Sequence, residues 1–235
     1  MKRVLIVGAT SGIGLQLAQD YAAAGWQVLA AGRNTTTVRD IAGVSAISVD
    51  ITDAQQVQQA FSSLPDYSLD LLLLNAGTCE YLDTNQFDGD AFAHVINTNL
   101  VALGYCLQQL LTKLMDGGQL ALTGSAVVHL PFPRAEAYGA SKAAVHYLAG
   151  SLRLDLAARG ITVSEIQPGF VATPLTARNL FDMPWLMTPA QASQRIRHGL
   201  QRRRATIAFP RRLIWSLKLL ALLPLSWQQR LLQRM

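Results

Sequence analysis

The stretch that decides the fold is Val4-Leu5-Ile6-Val7-Gly8-Ala9-Thr10-Ser11-Gly12-Ile13-Gly14. Four apolar residues with no polar alternation read as a short buried strand. Behind the glycines, Ile13, Leu17, Ala18 and Tyr21 share one helical face, and Gly25 supplies a stop. A strand that turns through glycines into a helix lets a pyrophosphate approach the backbone where helix N–H groups and the dipole favour an anion. The spacing is G-x-x-x-G-x-G rather than the commoner G-x-G-x-x-G. Taken alone it also suits a plain turn, but its place after an N-terminal strand favours a dinucleotide loop.

The same alternation continues outward. Val4–Val7, Gln27–Ala31, Ala46–Val49, Leu69–Asn75, Gln119–Thr123, Thr162–Gln167 and Thr206–Phe209 read as strands. Leu71 to Leu74 is an unbroken leucine run, as a central parallel strand covered on both faces requires. Between the strands, Asp53 caps a helix through Val57, Ala60 and Phe61. The longest helical patterns are Phe92–Met115, ended by Gly117-Gly118, and Tyr138–Arg159, ended by Gly160. Strand and helix in alternation predict an α/β fold: a doubly wound parallel sheet with right-handed crossovers and helices on both faces. No repeat, low-complexity tract or interior linker interrupts it, so residues 1–210 read as one domain and 211–235 as an atypical tail.

Composition narrows the classes. The chain has 235 residues, 50% hydrophobic and 15% charged, with 17 Gly and 9 Pro, which excludes disordered and collagenous chains. Cys79 and Cys106 build no disulfide framework and no CxxC pair, so free thiols in a reducing compartment are expected. Lys2-Arg3 precede only four apolar residues, too few for a signal peptide, and no run approaches the roughly 20 residues of a spanning helix. The expected location is cytoplasmic, with peripheral attachment at the inner face of a membrane left open by the tail. The net charge of +5 hides a division: residues 183–235 hold ten Lys/Arg and no acid, while all fifteen acids lie earlier.

Two positions carry the chemistry further. After the second strand no acid stands ready for a ribose 2′-hydroxyl. Arg33 is there instead, either accommodating a 2′-phosphate or serving as a solvated loop cation. Tyr138 and Lys142 stand four apart on one helical face, and Ser125 lies at the carboxyl end of a strand, the edge where such sheets bind ligands. An ammonium beside a phenol favours the phenolate, and a hydroxyl can donate to an oxygen that gains charge. Each has a plainer reading singly: an amphipathic anchor, a surface charge, a turn residue. Together, beside a glycine loop, they make a proton-transfer site.

With these residues in place, the chain resembles the short-chain dehydrogenase/reductase family over roughly residues 2–210. The resemblance implies a Rossmann-like domain whose cofactor loop is Gly8, Thr10, Ser11, Gly12, Ile13 and Gly14. Asp50 and Ile51 match the adenine contact, and Asn75-Ala76-Gly77 the sheet-edge motif. Asn99, Ser125, Tyr138 and Lys142 match the catalytic tetrad, with Asn99 holding a water and Lys142 also binding ribose. Pro168, Gly169, Val171 and Thr173 lie in the stretch that holds the nicotinamide carboxamide. Leu74 replaces a frequent first Asn. Ser11 stands where some NADP-preferring members have a basic residue, so Arg33 alone argues for the phosphate.

The expected function is NADP(H)-dependent interconversion of a carbonyl and a secondary alcohol, on an apolar small-molecule substrate. The rivals are a non-catalytic NADP-binding sensor or scaffold, and a peripheral membrane protein whose tail is its main function. Nucleic-acid binding is not expected, because the basic tail comes with no recognition fold. A homodimer or homotetramer through the two long helices is expected by the same resemblance. The four histidines show no metal-ligand spacing, and His129, between Ser125 and Tyr138, either lines the pocket or is a loop residue. Cys79 and Cys106 read as packing residues, with a reactive thiol at Cys79 as the alternative. Phe170–Met187 holds Leu175, Leu180, Phe181 and Trp185, a lid over an apolar substrate or ordinary packing. In the tail, Leu213–Leu223 is 11 residues, about 16 Å of helix, too short to span. Trp227, Leu231, Arg230 and Arg234 follow. Its partner is left open between an anionic membrane surface, the domain or a second subunit, and an acidic carrier.

Overall fold

The computed structural model describes residues 1–179 and 181–232, so the expectations for Leu180 and Arg234 fall outside the described residues. Seven parallel strands form: β1 (Arg3–Val7), β2 (Gln27–Gly32), β3 (Val44–Ser48), β4 (Leu69–Leu74), β5 (Leu114–Thr123), β6 (Thr162–Pro168) and β7 (Thr206–Phe209). They pair in the order β3-β2-β1-β4-β5-β6-β7. The helices are α1 (Gly12–Ala23), α2 (Ala54–Phe61), α3 (Gly89–Ile96), α4 (Ala102–Leu110), α5 (Glu136–Asp155), α6 (Pro189–Gln201), α7 (Arg211–Ala221) and α8 (Leu225–Leu232).

The strand period sorts the core into two layers. Leu5, Val7, Leu72 and Leu74 face one side and pack with Val57 and Phe61 of α2, Cys106 and Leu110 of α4, and Val145 and Ala149 of α5. Val4, Ile6, Leu71 and Leu73 face the other and pack with Leu17 and Tyr21 of α1 and Ile196 and Leu200 of α6. The leucine run is apolar at every position because alternate side chains enter different layers, both dry.

The longest expected helix is corrected. Phe92–Met115 divides into α3, a π-helical turn Asn97–Val101, α4 and a 3-10 turn Leu111–Lys113. Leu114 and Met115 already belong to β5, where Leu114 pairs with Leu69. Apolar residues at a helix end satisfy either period, and here the neighbouring strand wins. Gly117-Gly118 therefore stops no helix. It lies where the pairing of β4 with β5 shifts register between Leu69 and Leu71. The second long helix keeps its place as α5, followed by a 3-10 turn Ala157–Arg159 and a left-handed Gly160 at φ 62°.

The tail consists of two helices, α7 and α8. Leu213, Ile214 and Leu217 of α7 are buried against Ala126 and Leu130, with Phe132, Phe170 and Ala208 around them. A Cβ on Gly169 would overlap Leu213, so the close seat of α7 depends on that glycine. Gln228 of α8 donates to the carbonyls of Ala221 (3.1 Å) and Leu223 (2.7 Å), capping the end of α7.

The contact that seats α1 on the sheet is equally tight. A Cβ on Gly14 would overlap the Gly8 carbonyl oxygen and stand 2.9 Å from Asn75 Nδ2. Gly14→Ala is expected to cost about 1–3 kcal/mol, a fall in melting temperature of roughly 2–12 °C. Thermal unfolding checks this, and an unchanged transition would contradict the packing described.

Candidate active site

Crossovers leave β1 toward β2 and leave β4 toward β5, so a crevice opens at the carboxyl ends of β1 and β4. The glycine loop fills its floor. Gly8 has φ +82°, and a Cβ there would stand 2.6 Å from the Ala76 nitrogen. Only a glycine combines that backbone with that approach. Asn75 fastens the edge: Nδ2 donates to the Gly8 carbonyl (3.1 Å), and Oδ1 accepts from the Thr123 hydroxyl at the end of β5 (3.2 Å).

Ser11 is the N-cap of α1, yet its side chain makes no capping bond, and the first turn carries no acid. The helix N-terminus thus keeps its electropositive character toward the crevice. A Cβ on Gly12 would lie 2.9 Å from Thr173 Cγ2, so the segment that leaves β6 at Pro168, with Gly169, Val171 and Thr173, closes beside the loop. Thr10 packs against Gly32, and its carbonyl accepts from the Thr37 hydroxyl (2.8 Å).

Arg33 is exposed just past β2. Across from it, Asp50 accepts from the Thr52 N–H (3.0 Å) and hydroxyl (2.7 Å). Those bonds, backbone first, hold its carboxyl below the usual carboxylate range, and the Arg33 cation adds to the effect. Ile51 packs partly buried on the core behind Ala76.

The four side chains of the expected tetrad gather at this edge. Lys142 is 3% exposed, its Nζ donates to the Thr123 carbonyl (2.8 Å), and it lies 5.7 Å from the Tyr138 ring centre. A Cβ on Gly77 would stand 3.2 Å from Asn99 Oδ1 and 3.4 Å from Lys142 Nζ, so the missing side chain makes room for both. Asn99 sits in the π-helical turn, a feature frequent at functional sites because the extra residue re-aims a side chain. Ser125 caps the 3-10 turn Ala126–His129, accepting from the Val127 N–H (3.2 Å).

Burial sets the electrostatics. The expectation that Lys142 favours the phenolate is corrected: burial outweighs it and pushes the Tyr138 phenol up to about 12, with the Ser125 hydroxyl pulling the other way. It pushes Lys142 down to about 8, against the pull of Cys79 and Glu165. At neutral pH the phenol therefore holds its proton and the lysine its charge. Burial also raises Cys79 to about 11 and Cys106 to about 12, so both are thiols at neutral pH and neither is a reactive thiolate.

Several residues of the site gave no warning in the sequence. Asn99 Nδ2 donates to Ser141 Oγ (2.9 Å) and to the Thr78 carbonyl (2.9 Å), and its Oδ1 accepts from the Thr78 N–H (2.7 Å). Ser141 in turn donates to the Tyr138 carbonyl (2.7 Å). Tyr81 donates to Asn179 Oδ1 (2.8 Å) and meets the Phe181 ring edge-on at 5.7 Å. Glu165 of β6, fully buried, pairs with His146 Nδ1 at 2.7 Å, one helical turn beyond Lys142. A lone acid within a strand of the expected parallel sheet was the available signal for Glu165. His129 ends the 3-10 turn that follows Ser125. Burial first, then the Lys218 cation, lowers its pKa.

Ser141→Ala removes one of the two acceptors of a buried amide. The expected loss is about 0.5–1.5 kcal/mol of stability, read from the denaturation midpoint. A midpoint equal to the parent's would show that Ser141 does not hold Asn99.

Comparison with known proteins matches the short chain dehydrogenase family model to residues 2–183. An uncharacterized oxidoreductase of Myxococcus xanthus is 31% identical over 95% of this chain and 93% of its own. Sulfoacetaldehyde reductase of Chromohalobacter salexigens is 34% identical over 74% of each. Among solved structures, BdcA in complex with NADPH superposes with a TM-score of 0.78 at 21% identity, covering 88% of this chain and 91% of the other.

Proposed function

This chain belongs to the short-chain dehydrogenase family, and from that premise we propose an NADP(H)-dependent oxidoreductase that interconverts a carbonyl and a secondary alcohol, with Tyr138 as general acid/base. The observation that carries the reading is the placement of buried Lys142 with its Nζ 5.7 Å from the Tyr138 ring centre, at the sheet edge where the glycine loop opens. A sensor or scaffold that only binds a nucleotide needs no such pair.

The residues present fit a phosphorylated dinucleotide. Gly8 and Gly14 leave backbone where side chains would intrude, and the uncapped Ser11 end of α1 suits a pyrophosphate. Asp50 and Ile51 would border the adenine, and Arg33, with no acid beside it on β2, would meet a 2′-phosphate. Asn75, Ala76 and Gly77 would line the middle of the crevice. Lys142 and Tyr138 would face the ribose, and Pro168, Gly169, Val171 and Thr173 the carboxamide. When bound, NADPH supplies the hydride.

The chain's own groups then have distinct tasks. Tyr138 gives its proton to the carbonyl oxygen as that oxygen gains charge, and Ser125 donates a hydrogen bond to the same atom. The Lys142 ammonium, held by Thr123, offsets the phenolate left behind. Asn99, fixed by Ser141 and Thr78, keeps Gly77 and Lys142 in register. Around the opening, Phe170 and Phe181 stand 6.0 Å apart, and exposed Trp185 and Leu186 lie in the same segment, which supports an apolar substrate. The same reading makes the protein a homodimer or homotetramer through α4 and α5. Val145 of α5 is used in the core, while Tyr147 and Leu154 stand exposed seven positions apart on the same helix.

Tyr138→Phe is expected to lower kcat by about 10²–10⁴-fold or more, with NADPH affinity nearly unchanged. In the parent, kcat/KM for reduction should be level near neutrality. It should then fall as pH rises through about 8, because Lys142 is charged below that value and neutral above it. A screen of carbonyls from short ketones to long acyl chains, following NADPH oxidation, supplies the substrate. Undiminished turnover in Tyr138→Phe would reject the phenol as proton donor.

Arg33→Ala should cost roughly 10- to 100-fold in NADPH affinity and leave NADH affinity unchanged. Fluorescence titration of both cofactors measures it, and equal affinities in the parent would remove the NADP assignment.

A further inference from the structure

Helix α7 reads in the sequence as apolar nearly all round, and the structure shows why: it has two apolar faces. The inner one, Leu213, Ile214 and Leu217, is seated on the domain. The outer one is Trp215, Leu219 and Leu222, spaced i, i+4, i+7 and exposed by 68%, 68% and 81%. At helical spacing Arg211, Arg212 and Lys218 flank that outer stripe, and all three are exposed. In α8, exposed Trp227 and Leu231 lie four apart with Arg230 beside them. None of these four cations pairs with a carboxylate among the described residues.

We propose that α7 and α8 dock the protein on an anionic membrane surface. Trp215, Leu219, Leu222, Trp227 and Leu231 would enter the headgroup–acyl boundary, while Arg211, Arg212, Lys218 and Arg230 meet lipid phosphates and carboxylates. Three observations choose that occupant. A basic helix with tryptophan and leucine on its free face matches interfacial insertion. No helix among the described residues is long and apolar enough to cross a membrane, so α7 lies along the surface. A second copy fits less well: a contact of tail against tail would bring two basic segments together, and residues 183–235 contain no acid to pair with those cations.

The position gives the docking a consequence. The inner face of α7 covers the turn that follows Ser125 and touches Phe170, whose ring meets exposed Phe181 at 6.0 Å. A docked tail therefore brings the opening of the crevice close to the lipid. The docking itself stands whether or not the proposed reaction does, because it rests on the tail alone.

The test is co-sedimentation of the full chain with vesicles of phosphatidylcholine alone and of phosphatidylcholine mixed with phosphatidylserine, at low and high salt. Binding should favour the anionic vesicles and weaken with salt. Replacing Arg211, Arg212 and Lys218 together by Gln should reduce it by roughly fivefold per cation and flatten the salt dependence. The triple variant Trp215→Ser, Leu219→Ser, Leu222→Ser should lose at least about tenfold while melting like the parent, since those side chains point away from the domain. Failure of the parent to bind anionic vesicles overturns the proposal, as does binding indifferent to both variants. A smaller oligomer for the Ser variant by sedimentation velocity, without lipid, also overturns it, because the face would then be a contact between copies.

Discussion

The ammonium of Lys142 is the constraint on which the site depends. Enclosed by protein, it needs compensation, and the Thr123 carbonyl at the end of β5 supplies the hydrogen bond. Gly77 lies against both groups: a Cβ there would stand 3.2 Å from Asn99 Oδ1 and 3.4 Å from Lys142 Nζ, so a side chain would crowd Asn99. Asn99 must in turn be tied to Thr78 and Ser141, or its amide would be left buried without partners. The phenol of Tyr138, one helical turn before Lys142, then stands beside a fixed positive charge. Each step is a local requirement, and together they place four elements, β4, β5, the π-helical turn and α5, at one edge of the sheet.

Much of this was legible in the sequence, for identifiable reasons. Leu71–Leu74 suits a strand buried on both faces, and its place in the strand–helix alternation separates it from a buried helical run. The glycine loop and the four-residue spacing of Tyr138 and Lys142 are backbone statements, which a sequence states directly. What stayed hidden depends on contacts between distant segments. Leu114 and Met115 look helical until Leu69 is seen beside them. Ser141 looks like any small helical residue until Asn99, 42 positions away, donates to it. The pairing of Glu165 with His146 is equally invisible, although a carboxylate within a strand expected to be buried marks the strand for a partner.

That pair bears on the site from behind. Glu165 is fully buried, and a Cβ on Gly124 would stand 2.6 Å from its Oε1, so the carboxylate lies directly under the backbone that carries Ser125. Its charge favours the protonated form of Lys142, while burial opposes it. The tail shows the same lesson on a larger scale. In α7 the face that docks on the domain and the exposed leucines and tryptophan lie on different sides of one short segment, so the sequence alone does not say which face is seated.

The central claim is that Tyr138 is a protonated acid coupled to a nicotinamide cofactor. The direct measurement is a titration of the Tyr138 ring by ¹³C NMR, with labelled tyrosine and assignment by Tyr138→Phe, in the free protein and with NADP⁺. The account predicts a phenol that stays neutral up to about 12 in the free protein and titrates lower once the positive nicotinamide is bound. A Tyr138 resonance indifferent to NADP⁺ would contradict it.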